Sequence, residues 1–396
     1  MSMVQTDSFA DPEMGEPFLL TPGPLTTAFS VKQAMLRDWG SWDGDFRAMT
    51  KSMCDQLVVM AGDTRSEFVC VPMQGSGSYC VEALLGTFVP RDGKVLVLAN
   101  GAYGLRAAET MRYLGRAFTL IDKGDYMPPR GDEVAAALDA DPAITHVIAI
   151  HCETSSGILN PIDEISQVTY ARGRKLLVDS MSAFGAIELD VEKTRYEAMV
   201  SSANKCIEGV PGFGFVIARK SELESCKGNS HSLSLDIHAQ WANLVKTGQW
   251  RYTPPTHVVA AFIEALRMHA REGGVEARGA RYTRNRDVMV AGMRELGFET
   301  LLKDRWLSPI IVTFFCPAHR NFVFSTFYEL MKAKGFIIYP GKLTVVESFR
   351  VGCIGRMDEH IMRRVVEAAG ECLEEMDVDT AAPPAEAIAE RAKLAA

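Results

Sequence analysis

The chain has 396 residues, with 42 Lys and Arg against 50 Asp and Glu, a formal net charge of −8, 47% apolar residues and 23% charged residues. This is the composition of an ordinary soluble globular protein, and the length points to a large domain with a smaller companion. The basic residues are dispersed without a stripe, the apolar runs are too short to span a membrane, and the N-terminus lacks a basic segment followed by an apolar core. Nucleic-acid binding, membrane insertion and a secretory signal are therefore not expected.

Nine cysteines are scattered along the chain and none forms a CxxC pair. They read as buried, reduced thiols of a cytoplasmic protein. His231 and His238 have no third ligand type nearby, so no metal site is expected.

In chain order, an N-terminal arm over residues 1–27 contains TPGPL (21–25). A large domain is expected over 28–264. From about residue 66 to 220 one theme recurs: a short apolar run, then glycine or small residues, then a helical pattern. FVCVPM leads into QGSGS, KVLVLAN into GAYG, HVIAIHCE into TSSGILNP, and KLLVDS into MSAFGAIELD; GFGFVIAR follows as a further strand. Continuous apolar runs of this length suit strands buried on both faces, and their alternation with helices predicts an α/β fold with a mainly parallel sheet. HVVAAFIEALRMHAREGG predicts a long helix and an Arg-rich helical stretch follows it. PIIVTFFC, GFIIYPG and SFRVGCIG are separate strand candidates, giving a smaller α+β domain over 265–378. The Ala-rich end with its Pro pair, 379–396, reads as a mobile, solvent-facing tail.

Three places carry chemistry. The first is Gly75-Ser76-Gly77-Ser78, which joins a strand to a helix. A helix N-terminus offers free N–H groups and a positive dipole end, which suits phosphate; the alternative is an ordinary N-capped turn. A dinucleotide fingerprint wants glycine where Cys80 stands, so a nicotinamide site is disfavoured. The second is Asp179, at the C-terminal end of an apolar strand, where open α/β sheets bind ligands; a helix cap or a metal ligand are its other readings. The third is Lys205, set among small and apolar residues. A snorkelling or paired lysine is the bland reading. In a desolvated pocket its amine loses its proton more readily and condenses with carbonyls. One ligand uses all three features, because it has a phosphate, an aldehyde and a basic ring nitrogen: pyridoxal 5′-phosphate.

The ordered set TPGPL, QGSGSYCVEALLGTFVPRDGKVLVLANGAYG, HCETSSGILNP, VDSMSAFGA, NKCIEGVPGFGFV, GQWRYTPPTHVV, YPGKL and FRVGCIG resembles the class V aminotransferases over about residues 18–375. The resemblance implies a fold-type I homodimer with a seven-stranded, mainly parallel sheet and active sites at the subunit interface. It implies that Lys205 forms the Schiff base with the cofactor and that Asp179 pairs with its ring nitrogen. Ser76, Gly77 and Ser78 then form the phosphate cup, Tyr103 stacks on the ring, Thr154 bonds the ring hydroxyl, and Met181 packs on the opposite face. Thr253 reaches the phosphate from the partner subunit. Arg350 clamps the substrate's acid group beside Gly23, Pro24 and Leu25; a structural salt bridge is its competing reading.

Within the family, GNSHSLSLD (228–236) and YPGKL favour 2-aminoethylphosphonate as amino donor and pyruvate as acceptor. A transaminase acting on alanine or serine and glyoxylate is the nearest alternative. A desulfurase has His before the lysine, where Asn204 stands here. A catalytically silent scaffold is disfavoured by the intact Lys205 and Asp179.

Overall fold

The computed structural model describes residues 15–341 and 346–394, so the arm is seen from Gly15 onward and Lys342 and Leu343 of YPGKL lie outside the described residues. The central sheet has seven strands: β1 (Phe68–Gln74), β2 (Lys94–Ala99), β3 (Ala117–Asp122), β4 (Ile144–Ile150), β5 (Lys175–Asp179), β6 (Ala198–Ser202) and β7 (Phe213–Arg219). Their order across the sheet is β1-β7-β6-β5-β4-β2-β3, and β7 alone runs against the other six.

The apolar runs explain this placement. Side chains alternate across a strand, so an uninterrupted apolar run feeds both faces of the sheet. Val95 and Val97 pack with Leu84, Phe88 and Met111 from the helices α1 (Gly77–Phe88) and α2 (Ala102–Tyr113) on one face. Leu96 and Leu98, between them in sequence, pack on the other face in a core that includes Phe262 and Leu266 of the helix Thr256–Glu272. The Cys80 thiol packs closely against the sheet: a Cβ built on Gly214 of β7 would lie 2.5 Å from its sulfur.

Two strands lie outside the runs read from the sequence. β3 is an edge strand, half-buried along its middle and exposed at both ends, and in β6 the run AMVSS ends in serines. The helical pattern expected over MSAFGAIELD is instead a series of turns, interrupted by Gly185 at φ +95°.

A second core gathers Phe298, Phe314, Phe349, Met289 and Val365 with Phe18 and Leu20 from the arm. Here Ser348–Gly352 pairs antiparallel with Ile311–Phe315 and with Tyr339–Pro340, and Phe18–Leu19 pairs in parallel with Phe336–Ile337. The expectation of a solvent-facing tail is corrected. Residues Ala385–Leu394 form a helix, Ala381 and Ala387 are buried, and Arg391 donates to the Thr300 carbonyl at 2.6 Å. The small alanine side chains let this segment lie close against the core.

Candidate active site

Parallel strands bring their C-terminal ends to one edge, and the chemistry is gathered there. β1 ends at Gln74 and turns through Gly75, at φ +115°, into α1. Ser76 is the N-cap of α1, yet its side chain makes no capping hydrogen bond. Among the described residues its hydroxyl and the first-turn N–H groups are thus unspent at the positive end of the helix. β5 ends at Asp179, which is buried; its partner among the described residues is the Met181 N–H, at 3.0 Å. Burial pushes this carboxyl up to about 6.

Lys205 follows β6 by three residues and its Nζ donates to the Pro22 carbonyl at 2.5 Å. Burial pushes the amine down to about 8, and no carboxylate pairs with it among the described residues. The Lys205 segment is pinned from behind. Glu208, at φ +63°, takes an Arg281 bond at 2.7 Å and a Tyr282 hydroxyl bond at 2.6 Å. Arg278 donates to the Cys206 carbonyl and pairs with Glu272. Arg281 also reaches the carbonyls of Gly355 and Met357, just beyond the strand that carries Arg350.

A cavity of about 450 Å³ joins these groups. Its lining includes Ser76, Gly77, Ser78, Tyr103, Asp179, Met181, Lys205 and Pro24 from the expected set. Gly23 stands against the lysine: a Cβ there would lie 2.8 Å from Nζ. Leu25 is buried in a small apolar cluster with Cys152, Cys206 and Ile354. Thr154 and Arg350 lie outside the lining. Arg350 is buried; it donates to the Thr154 carbonyl at 2.9 Å and the Pro340 carbonyl at 3.0 Å, and lies over the Tyr339 ring. It makes no ion pair among the described residues, so the salt-bridge reading does not describe this structure. Burial pulls its guanidinium down from the ordinary value. Thr253 is exposed and away from the cavity of its own chain.

Two residues near the site escaped the sequence reading. Glu153 is fully buried; its carboxylate takes the Tyr103 and Gly104 N–H groups and so caps α2 beneath Tyr103. Its position next to Thr154 was the available signal. Arg106 lines the cavity from α2, and nothing in the charged face of a helix marks it out.

The sequence pattern of the aminotransferase class-V family matches residues 76–333. The chain belongs to the class-V aminotransferases. It is 76% identical to a 2-aminoethylphosphonate–pyruvate transaminase of Rhizobium meliloti (strain 1021), over 97% of this chain and 100% of that one. It is 69% identical to a 2-aminoethylphosphonate–pyruvate transaminase 1 of Paraburkholderia xenovorans (strain LB400), over 97% and 99%. A solved pyridoxamine–pyruvate aminotransferase from Mesorhizobium loti shares the fold, with a TM-score of 0.84 at 22% identity over 97% of this chain and 98% of that one.

As a class-V aminotransferase the chain uses pyridoxal phosphate. The cavity fits that group. Its volume lies in the range of small-molecule sites. It offers three groups of the right kind: an uncapped helix start for the phosphate, a buried carboxylate for a ring cation, and a buried amine of lowered basicity for the aldehyde.

Proposed function

We propose that this protein moves the amino group of 2-aminoethylphosphonate to pyruvate, giving phosphonoacetaldehyde and L-alanine. The observation that carries the reading is the convergence of Lys205, Asp179 and the uncapped start of α1 on one cavity, in a chain so similar to two transaminases of that name. When bound, the cofactor supplies an aldehyde that condenses with amines and a ring that takes up the electrons left when a C–H proton departs.

The chain's own residues do the rest. Lys205 Nζ would hold the cofactor until a substrate amine displaces it, and the freed amine would then carry the proton from the substrate's amine-bearing carbon to the cofactor's aldehyde carbon, the net shift that leaves the amino group on the cofactor. Its lowered basicity keeps a useful share of the amine neutral near pH 7 to 8. Asp179, in the cavity lining, would pair with the ring nitrogen and hold its proton. Ser76, Gly77 and Ser78 would hold the phosphate, Tyr103 and Met181 would pack against the ring, and Thr154 would bond the ring hydroxyl. Arg350, with the Gly23–Leu25 stretch, takes the single acid group that both substrates carry, so one anion site serves the two halves of a ping-pong reaction. The absence of an acid partner for Arg350 among the described residues supports that role.

The active unit in this reading is a cytoplasmic homodimer, with a large domain over 28–264 and a small one over 265–378. Tyr79 and Tyr252 are exposed and line a second cavity that shares Gly75 with the first. A partner subunit seated there brings Thr253 to the neighbouring phosphate cup.

The test offers 2-aminoethylphosphonate, taurine, serine and β-alanine with pyruvate and measures alanine. Alanine is expected from the phosphonate, with parallel double-reciprocal lines. Alanine from another donor but not from the phosphonate overturns the donor assignment, and intersecting lines overturn the ping-pong order.

A further inference from the structure

The charge balance of the cavity leaves one requirement unmet. A phosphate monoester near neutral pH carries nearly two negative charges, whereas a helix start supplies about half a positive charge and hydroxyls supply none. Two cations line the cavity among the described residues, Lys205 and Arg106. Lys205 is committed to the aldehyde end. Arg106 stands at the cup itself: its Nη1 donates to the Ser78 hydroxyl at 3.2 Å, and its guanidinium lies 4.9 Å from the centre of the Tyr103 ring. Three residues apart on α2, the arginine and the tyrosine share one helix face. No carboxylate pairs with Arg106 among the described residues, so its charge is free for an anion.

We propose that Arg106 is the charged wall of the phosphate cup, pairing with the cofactor phosphate while resting on the ring that stacks against the cofactor. The inference rests on the transaminase reading and assigns a residue that the reading leaves without a role. It explains why, among the described residues, a cation reaches the Ser78 hydroxyl of the cup. The Ser78 hydroxyl acts as a placeholder acceptor, and a phosphate oxygen arriving at the start of α1 is a stronger one.

The experiment titrates the apo-protein with pyridoxal phosphate and, separately, with pyridoxal, which lacks the phosphate. Binding is read from tryptophan fluorescence and from the visible band of the bound aldehyde. In R106Q the dissociation constant for pyridoxal phosphate is expected to rise roughly 10- to 100-fold, the usual effect of losing a hydrogen bond to a charged group. That for pyridoxal should stay within about twofold, because the lost contact is to the phosphate alone. R106K, which keeps the charge but loses the planar fork, should fall between R106Q and the parent. Inorganic phosphate should compete with pyridoxal phosphate less well in R106Q than in the parent. Unchanged affinity for pyridoxal phosphate in R106Q, or equal weakening of both ligands, overturns the inference. A parent protein that takes up neither ligand overturns the transaminase reading itself.

Discussion

Gly23→Ala tests the placement of the lysine most directly. Gly23 has φ +128°, and a methyl group there would meet Lys205 at 2.8 Å from Nζ, 2.9 Å from Cδ and 3.0 Å from Cε. All three atoms belong to the outer end of the lysine, so the side chain yields rather than the backbone, and its amine must move by about half an ångström to reach ordinary van der Waals distance. A misplacement of about 1 Å at a reacting group costs roughly 100-fold, so the loss in kcat should lie between about 10- and 100-fold. The backbone contributes separately, because a non-glycine residue at this φ costs on the order of 1–3 kcal/mol. Gly173→Ala is the control: φ is +65° and no atom lies within 4 Å of the added methyl. It should cost stability and leave turnover alone. The assays are urea unfolding for both variants and alanine formation at saturating substrates. G23A turning over within about twofold of the parent, or G173A losing as much activity as G23A, would refute the steric argument.

Three further outcomes follow from the buried charges. Arg350→Gln should raise KM for 2-aminoethylphosphonate and for pyruvate together by roughly 10- to 100-fold, and a rise for one substrate alone would break the single-site account. Cofactor uptake by the apo-protein should increase about tenfold per pH unit up to about pH 8 and then level, because the neutral amine is the reacting form and burial sets its basicity; a profile still climbing toward pH 10 contradicts this. Glu208→Gln should cost about 3–5 kcal/mol in urea unfolding, since Arg278 and Arg281 are left buried with one carboxylate between them. Burial alone raises the Glu208 carboxyl, but the two arginines and the Tyr282 hydroxyl outweigh it and bring it to about 2. With the folded value below the unfolded one, the contribution is present above the ordinary carboxylate range and fades as pH falls toward 2. The parent should therefore lose stability over that range more steeply than E208Q.

The sheet was legible where burial on both faces left an unbroken apolar run, as in Lys94–Ala99 and Lys175–Asp179. It was illegible where a strand met other demands. Ser201 and Ser202 end β6 at the site edge, where a purely apolar run cannot continue, and β3 needs only one neighbour. Lys205 and Asp179 stood out because a charge in an apolar setting needs a reason. Glu208, Arg278 and Arg281 did not, because Glu208 meets the two arginines only across a long stretch of chain, 73 residues for Arg281, and each alone resembles a surface charge. The tail misled for a related reason: Ala-rich sequence carries little apolar signal, yet its small side chains allow the close approach seen at Ala381 and Ala387.

These buried charges also account for how the lysine keeps its low basicity. Glu208 lies three residues from Lys205, and a lone carboxylate there would pull the amine back toward its ordinary value. Instead Glu208 and Glu272 face Arg278 and Arg281, two charges of each sign in mutual contact. Such a group presents little net field to its neighbour. The largest influence on Lys205 is burial; Cys206, Asp179, Cys152 and Arg350 act after it, and no member of the network is among them. The network therefore fixes where the lysine stands without deciding how basic it is, and that separation lets one segment be rigid and reactive at once. Arg281 extends the same cluster to the Gly355 and Met357 carbonyls, so the segment that places the amine and the strand that places Arg350 share one anchor. A displacement of either end of the substrate site is thereby opposed by the same buried contacts.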